Sequence, residues 1–216
     1  MAYDVDEQEK LDAIKDWWDR NGTKIIVLAI VFAVGVLGWR GYQWYEQHQA
    51  TKAMGYFEAL EVAAIQEGEE STVRLLAASE VLRTEYSQSA YTNRGLLIAA
   101  QALQKQGDIA GAQAQLQWLV QNSSESAIID VAKLRLAGLL LEQADYAAAL
   151  TQVQSPSAAF AGLYADRRGD IYYAQGEVAQ ARAEWQQALA ALSGLGYAQL
   201  VQLKLDALAS EQTPKE

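Results

Sequence analysis

The sequence predicts an all-α chain: a single N-terminal transmembrane helix followed by a solenoid of paired helices. Three observations carry that prediction. The 216 residues hold 39 Ala and 23 Gln but only two Pro, Pro156 and Pro214, so helix formers dominate and breakers are scarce. Ile25 to Trp39 is a run of 15 residues without a charge. Downstream of it, small and large residues recur at a near-constant period, the mark of a repeat architecture.

The same composition excludes several kinds of function. There is no Cys, hence no disulfide, no thiol nucleophile and no Cys-based metal site. The single His, His48, removes His-based zinc sites and most Ser–His catalysis. A net charge of −10 argues against binding a phosphate backbone, so no nucleic-acid partner is expected. No G-x-S-x-G, P-loop or Rossmann fingerprint occurs. Glu67, Glu69 and Glu70 lack the spacing of a calcium loop and read as a solvated turn. No catalytic residue, cofactor or metal is expected.

Residues 1–21 form a short cytoplasmic amphipathic segment. Leu11, Ile14, Trp17 and Trp18 share one helical face, and Asp12, Lys15, Asp16 and Asp19 the other. This pattern suits a helix lying on the inner leaflet. Docking on a cytoplasmic partner is the second reading.

Residues 22–45 form the span. The uncharged run covers roughly 22 Å at about 1.5 Å per residue, against a hydrocarbon core of about 30 Å. Its flanks complete the crossing. Lys24 and Arg40 can snorkel to the interfaces, and Trp17, Trp18, Tyr42, Trp44 and Tyr45 supply aromatic belts on both sides. A buried core helix rarely carries such belts. A cleavable signal is disfavoured by the long, acid-rich segment that precedes the run. Lys10, Lys15, Arg20 and Lys24 precede the span, whereas only Arg40 and Lys52 follow it closely. That bias places the N-terminus inside, and in a bacterium it puts the rest beyond the inner membrane in the periplasm. The lipid bilayer is thus the first partner. Gly35 and Gly38 lie on one face and offer a close approach to a second transmembrane helix.

Residues 46–210 form the repeat domain. From Tyr164 onward, Gly169, Tyr172, Ala181, Trp185 and Ala188 fall at offsets 0, 3, 12, 16 and 19. Ala137, Leu140, Ala149 and Val153 repeat the spacing, as do Ala100, Leu103, Ala112, Leu116 and Leu119. The small residues sit where two helices of a hairpin cross, and the large ones fill the space beside them. Gly107-Asp108, Ala144-Asp145 and Gly176-Glu177 fall at the turns. The pattern is that of a tetratricopeptide-like α-solenoid. Upstream, MGYFEALEVAAIQ and TVRLLAASEVLRTEY read as two helices around EGEES, a worn repeat or an N-terminal cap. Downstream, Tyr197 to Leu208 reads as a capping helix whose Leu200, Leu203, Leu205 and Leu208 cover the open end. The tail, 211–216, reads as disordered.

In such a stack the first helix of each pair lines a concave groove. Counting from the small residues gives Arg94, Leu97, Gln101, Gln104 and Lys105. The second repeat adds Val131, Leu134, Leu141 and Glu142, and the third Leu163, Asp166, Asp170 and Tyr173. The set runs from basic and polar, through apolar, to acidic. Basic residues do not converge on one spot, so a clamp for a peptide C-terminus is not expected. An apolar middle suits an extended or helical segment of another protein. The competing reading has the groove filled by the chain's own first or last helix.

The acidic N-terminus, the span ending in GVLGWRGYQWYEQHQ, and the stretches KLRLAGLLLEQADYAAAL and ADRRGDIYYAQGEVAQARAEW resemble the YfgM family over essentially the whole chain. The resemblance implies an ancillary subunit of the bacterial SecYEG translocon, anchored in the inner membrane with its repeat domain in the periplasm. It also implies a link to the chaperone PpiD, passage of translocated client proteins toward periplasmic chaperones, and a connection to envelope-stress control. It implies no catalytic residues. The alternative is a general envelope scaffold or a cell-wall-associated repeat protein unrelated to secretion.

Overall fold

The computed structural model describes residues 3–194 and 196–211, with side chains for 9–194 and 196–209. Met1 and Ala2 of the expected N-terminal segment lie outside the described residues. So does the tail expected at 211–216, apart from Glu211 at the end of the last helix. Nine α-helices and one 3₁₀ turn follow one another among the described residues. They are α1 Tyr3–Ala64, α2 Glu69–Glu85, α3 Ala90–Lys105, α4 Ile109–Asn122, α5 Ser126–Glu142, α6 Tyr146–Gln152, the 3₁₀ turn Ala158–Phe160, α7 Ala161–Ala174, α8 Val178–Ala191 and α9 Ala198–Glu211. The chain divides into two units, 1–51 and 52–216.

The first unit is the helix α1 as far as Thr51, long and apolar enough to cross a membrane. Leu28, Phe32 and Leu37 are exposed, as lipid-facing side chains are. The polar tips of the flanking aromatics find partners on the same helix. The Tyr42 hydroxyl donates to Glu46 at 3.2 Å, and Gln49 Nε2 donates to the Tyr45 hydroxyl at 2.8 Å. The His48 ring stacks on Trp44, with ring centres 5.4 Å apart. The helix expected at MGYFEALEVAAIQ is the end of α1 and not a separate element, since no proline interrupts residues 45–64 and the helix tolerates Gly55.

The second unit is a stack of helical hairpins. Residues 52–64 of α1 meet α2 and α3 through Tyr56 against Tyr86 and Phe57 against Tyr91, with ring centres 5.8 and 5.5 Å apart. Then come α3/α4, α5/α6 and α7/α8. The crossing residues Ala100, Ala112, Ala137, Ala149, Gly169 and Ala181 are all buried, as the spacing predicts.

The three turns within these hairpins are the same structure. Asp108 N donates to Leu103 O at 2.9 Å, Asp145 N to Leu140 O at 2.9 Å and Glu177 N to Tyr172 O at 2.8 Å. Each turn places one residue at positive φ: Gly107 at 84°, Ala144 at 58° and Gly176 at 80°. This is the left-handed closure of a helix C-terminus. Asp108 and Asp145 then cap the next helix, accepting from Gly111 N at 2.9 Å and Ala148 N at 3.1 Å, which satisfies an orphan donor of the first turn.

The second helix of the middle hairpin is short. α6 ends at Gln152, and Pro156 directs the chain into the 3₁₀ turn before α7. Buried Asp130 on α5 holds this connection down, accepting from Ser157 Oγ at 2.5 Å and from the Tyr164 hydroxyl at 2.7 Å. At the far end α9 packs on α8 and caps the stack. Its buried residues are Val201 and Leu208, with Leu205 half-buried, in one cluster with Trp185, Ala188 and Leu192. Leu200 and Leu203 lie outside that seam and are 46% and 64% exposed. The buried seam runs 201–205–208, so a helix docked by one face cannot bury all four predicted leucines.

Candidate protein-binding groove

Helices α3, α5 and α7 supply the predicted groove residues, and the structure treats the three sets differently. On α3, Arg94, Gln101, Gln104 and Lys105 are exposed and Leu97 is half-buried. On α5, Val131, Leu134 and Leu141 are half-buried and Glu142 is exposed. Leu134 and Leu141 pack against the cluster of Ala137, Ala149, Val153, Tyr164 and Ile171. Their side chains therefore serve the core of the α5–α6–α7 junction as well as the face. On α7, Leu163 packs into the cluster under α9, Asp166 is buried, Asp170 is half-buried and Tyr173 is 42% exposed.

Two polar links tie neighbouring first helices together. Gln104 Nε2 on α3 donates to Glu142 on α5 at 3.2 Å. Arg135 Nη1 on α5 donates to the Leu97 carbonyl on α3 at 2.9 Å. Further along, a Cβ added at Gly138 would lie 3.7 Å from the Arg167 guanidinium of α7, so the face continues from α5 to α7. Arg94 and Lys105 join no ion pair among the described residues.

The acidic end of the face is engaged by the chain itself. Lys204 Nζ of α9 lies 2.7 Å from Asp166 Oδ1 and 2.6 Å from Asp170 Oδ1. The Tyr197 hydroxyl donates to Asp166 at 3.2 Å, and Trp185 Nε1 donates to Asp170 at 3.2 Å. Burial raises the Asp170 pKa, which its bond to Lys204 offsets only in part and the Asp166 charge reinforces. Burial works against the Lys204 charge, but the hydrogen bonds and charges of both aspartates outweigh it and raise that pKa. Tyr173 lies over the same indole, with ring centres 5.6 Å apart.

Arg135, Arg167 and Lys204 are the residues that counting from groove positions passes over. A signal for the first two exists: Arg135 and Arg167 each precede a crossing residue, Ala137 and Gly169, by two places. Gly35 and Gly38 of the span are open: among the described residues a Cβ at either would meet no side chain within 4 Å. Among the described residues no group of three His, Asp or Glu side chains is placed to hold a metal ion.

The family model described as a tetratricopeptide repeat-like domain matches residues 15–210. An ancillary SecYEG translocon subunit of Haemophilus influenzae is 30% identical over 96% of this chain and 100% of its own length. One from Neisseria gonorrhoeae is 31% identical over the same shares. One from Escherichia coli is 28% identical over 94% of this chain and 97% of its own length. No solved structure gives a significant match. With the hairpin register, the capping helix and the N-terminal apolar helix all in place, the chain belongs to the tetratricopeptide repeat-like family of these ancillary translocon subunits, the YfgM family.

Proposed function

We propose that the chain is a non-enzymatic ancillary subunit of the SecYEG translocon. In this reading α1 anchors it in the inner membrane, with the N-terminus cytoplasmic and the hairpin stack periplasmic. The stack binds segments of secreted chains leaving the translocon and passes them to periplasmic chaperones of the PpiD kind. Modulation of envelope-stress signalling would follow from the same contacts. The observation that carries the reading is the full-length similarity to translocon subunits at 30–31% identity. The exposed part of the face, from Gln101 to Glu142, supplies a surface that the fold leaves uncovered.

Photocrosslinking in membranes tests it. A benzoylphenylalanine at Gln104 or Tyr173 is expected to capture translocon subunits or translocating chains. The same probe at Gln187, exposed on the second helix α8, is expected to capture neither. Equal adducts from all three positions would contradict a binding face on the first helices.

A further inference from the structure

Among α3, α4 and α5 lies a recess of about 250 Å³ lined by Ala100, Gln101, Gln104, Leu116 and Arg135. Ala100 and Leu116 are buried and form its apolar floor, while Gln101, Gln104 and Arg135 are exposed and form its rim. A water's share of liquid volume is about 30 Å³, so the recess has room for a side-chain head group.

Arg135 is the unusual member. A guanidinium carries five donors, and the contact Arg135 makes is to one backbone carbonyl, Leu97 O at 2.9 Å. Among the described residues no carboxylate forms an ion pair with it, unlike the arginines of α7: Arg167 pairs with Asp170 at 3.8 Å and Arg168 with Glu184 at 2.8 Å. Neighbouring side chains strip part of its water shell and lower its pKa. Both acids of α5 are engaged elsewhere: Glu142 accepts from the Gln104 amide, and buried Asp130 accepts from Ser157 and Tyr164. The Leu97 bond fixes the guanidinium in orientation, and the apolar floor strengthens any charge pairing above it.

We infer that this recess is a carboxylate subsite of the groove, where Arg135, flanked by the Gln101 amide, binds a carboxylate of a bound protein segment. The inference rests on the groove reading proposed above. A planar guanidinium meets a carboxylate with two parallel hydrogen bonds, which gives orientation as well as affinity. A single such contact sets the register of an otherwise apolar segment along α3 and α5.

The test uses the full chain in detergent micelles and fluorescein-labelled twelve-residue peptides of Leu, Ala and Gln, read by anisotropy. One set carries a single Glu and blocked ends. A second has Gln in its place, and a third has no Glu but a free C-terminal carboxylate. Wild type is expected to bind a carboxylate-bearing set about tenfold tighter than the Gln set, as a charge-assisted pair allows. Which set gains tells a side-chain from a terminal carboxylate. Arg135→Gln should erase the preference, Arg135→Lys should keep only part of it, and Arg135→Glu should prefer a Lys peptide. Circular dichroism checks that each variant keeps its helicity, and Arg135→Lys serves should Arg135→Gln lose it. Equal binding of all three sets by wild type, or a preference that survives loss of the arginine fork, overturns the subsite. No peptide binding while crosslinks from Gln104 persist also overturns the subsite alone. Loss of both overturns the groove reading itself, and the subsite with it.

Discussion

A Cβ placed on Gly169 would stand 2.4 Å from Cδ1 of Trp185, so the α7/α8 hairpin closes only because residue 169 has none. Trp185 is 4% exposed, and its indole fills the crossing that the glycine opens. Gly169→Ala should therefore cost about 1–3 kcal/mol by overpacking, and Trp185→Ala about 3–5 kcal/mol by leaving a cavity. The double variant should cost less than the sum, because each change relieves the other. Urea unfolding followed by circular dichroism measures all three. Additive costs would mean that the two residues are not in contact.

The three hairpin turns make a second prediction. Position 144 needs the left-handed backbone that Gly107 and Gly176 adopt, yet it carries Ala at φ 58°. An L-residue there costs roughly 1–2 kcal/mol. Ala144→Gly should stabilise the domain by about 1 kcal/mol and Gly176→Ala should destabilise it by a similar amount. The same unfolding measurement reads both, and opposite signs are the expected result.

The contact that holds α9 is charged. Removing one partner of a buried pair leaves an uncompensated charge, so Lys204→Met should cost about 3 kcal/mol or somewhat more. Asp166, only 4% exposed at its side chain, bears most of that loss. Pairing Lys204→Met with Asp166→Asn should recover part of the stability. Limited proteolysis should then show α9 as the first segment cut in the single variant and protected again in the double one.

Alkali should unfold the domain in a defined way. Burial raises the pKa of the Tyr164 hydroxyl above 10, and its bond to Asp130 adds to the effect. Tyr197 is raised chiefly by burial, and Lys204 is raised by its two aspartates. In each case the unfolded chain loses its proton first. Stability is therefore complete below about pH 10 and falls as pH rises beyond it, by up to about 1.4 kcal/mol per pH unit for buried Tyr164 and by less for the solvent-screened Tyr197 and Lys204. Tyr164→Phe should flatten that fall, while costing about 1–3 kcal/mol at neutral pH because Asp130 loses a donor. A fall of unchanged steepness in the variant would show that Tyr164 is not one of its causes.

In the span, Gly35→Leu with Gly38→Leu should leave the helix intact, because among the described residues a Cβ at either position meets no side chain within 4 Å. Loss of translocon recovery from a normally inserted double variant would then report a partner helix packed on that face. Unchanged recovery would assign the anchor to tethering alone.

The sequence made the hairpin register legible because crossing residues must be small and turn residues must tolerate positive φ. Ala100, Ala137 and Gly169 meet the first demand, and Gly107 and Gly176 the second. Ala144 breaks the residue preference but keeps the geometry, so the turn was visible through its neighbour Asp145. The face was less legible. Repeat position says which helix side a residue occupies, not what covers it. Leu134 and Leu141 sit on the counted side and still pack into the next junction, and Asp166 and Asp170 meet a lysine 38 and 34 residues away. Arg135 stands two places before Ala137 as Arg167 does before Gly169, but its contact is a carbonyl of the preceding repeat, a partner that this local spacing does not name.

Assembly with the translocon is open to test by co-purification of the full chain. Membranes are solubilised in mild detergent and the chain is drawn out by a C-terminal tag, then passed over a second affinity step on a translocon subunit. The chain and the SecYEG subunits are expected to survive both steps together. A translocon recovered without the chain, from membranes in which both are present and folded, would contradict it.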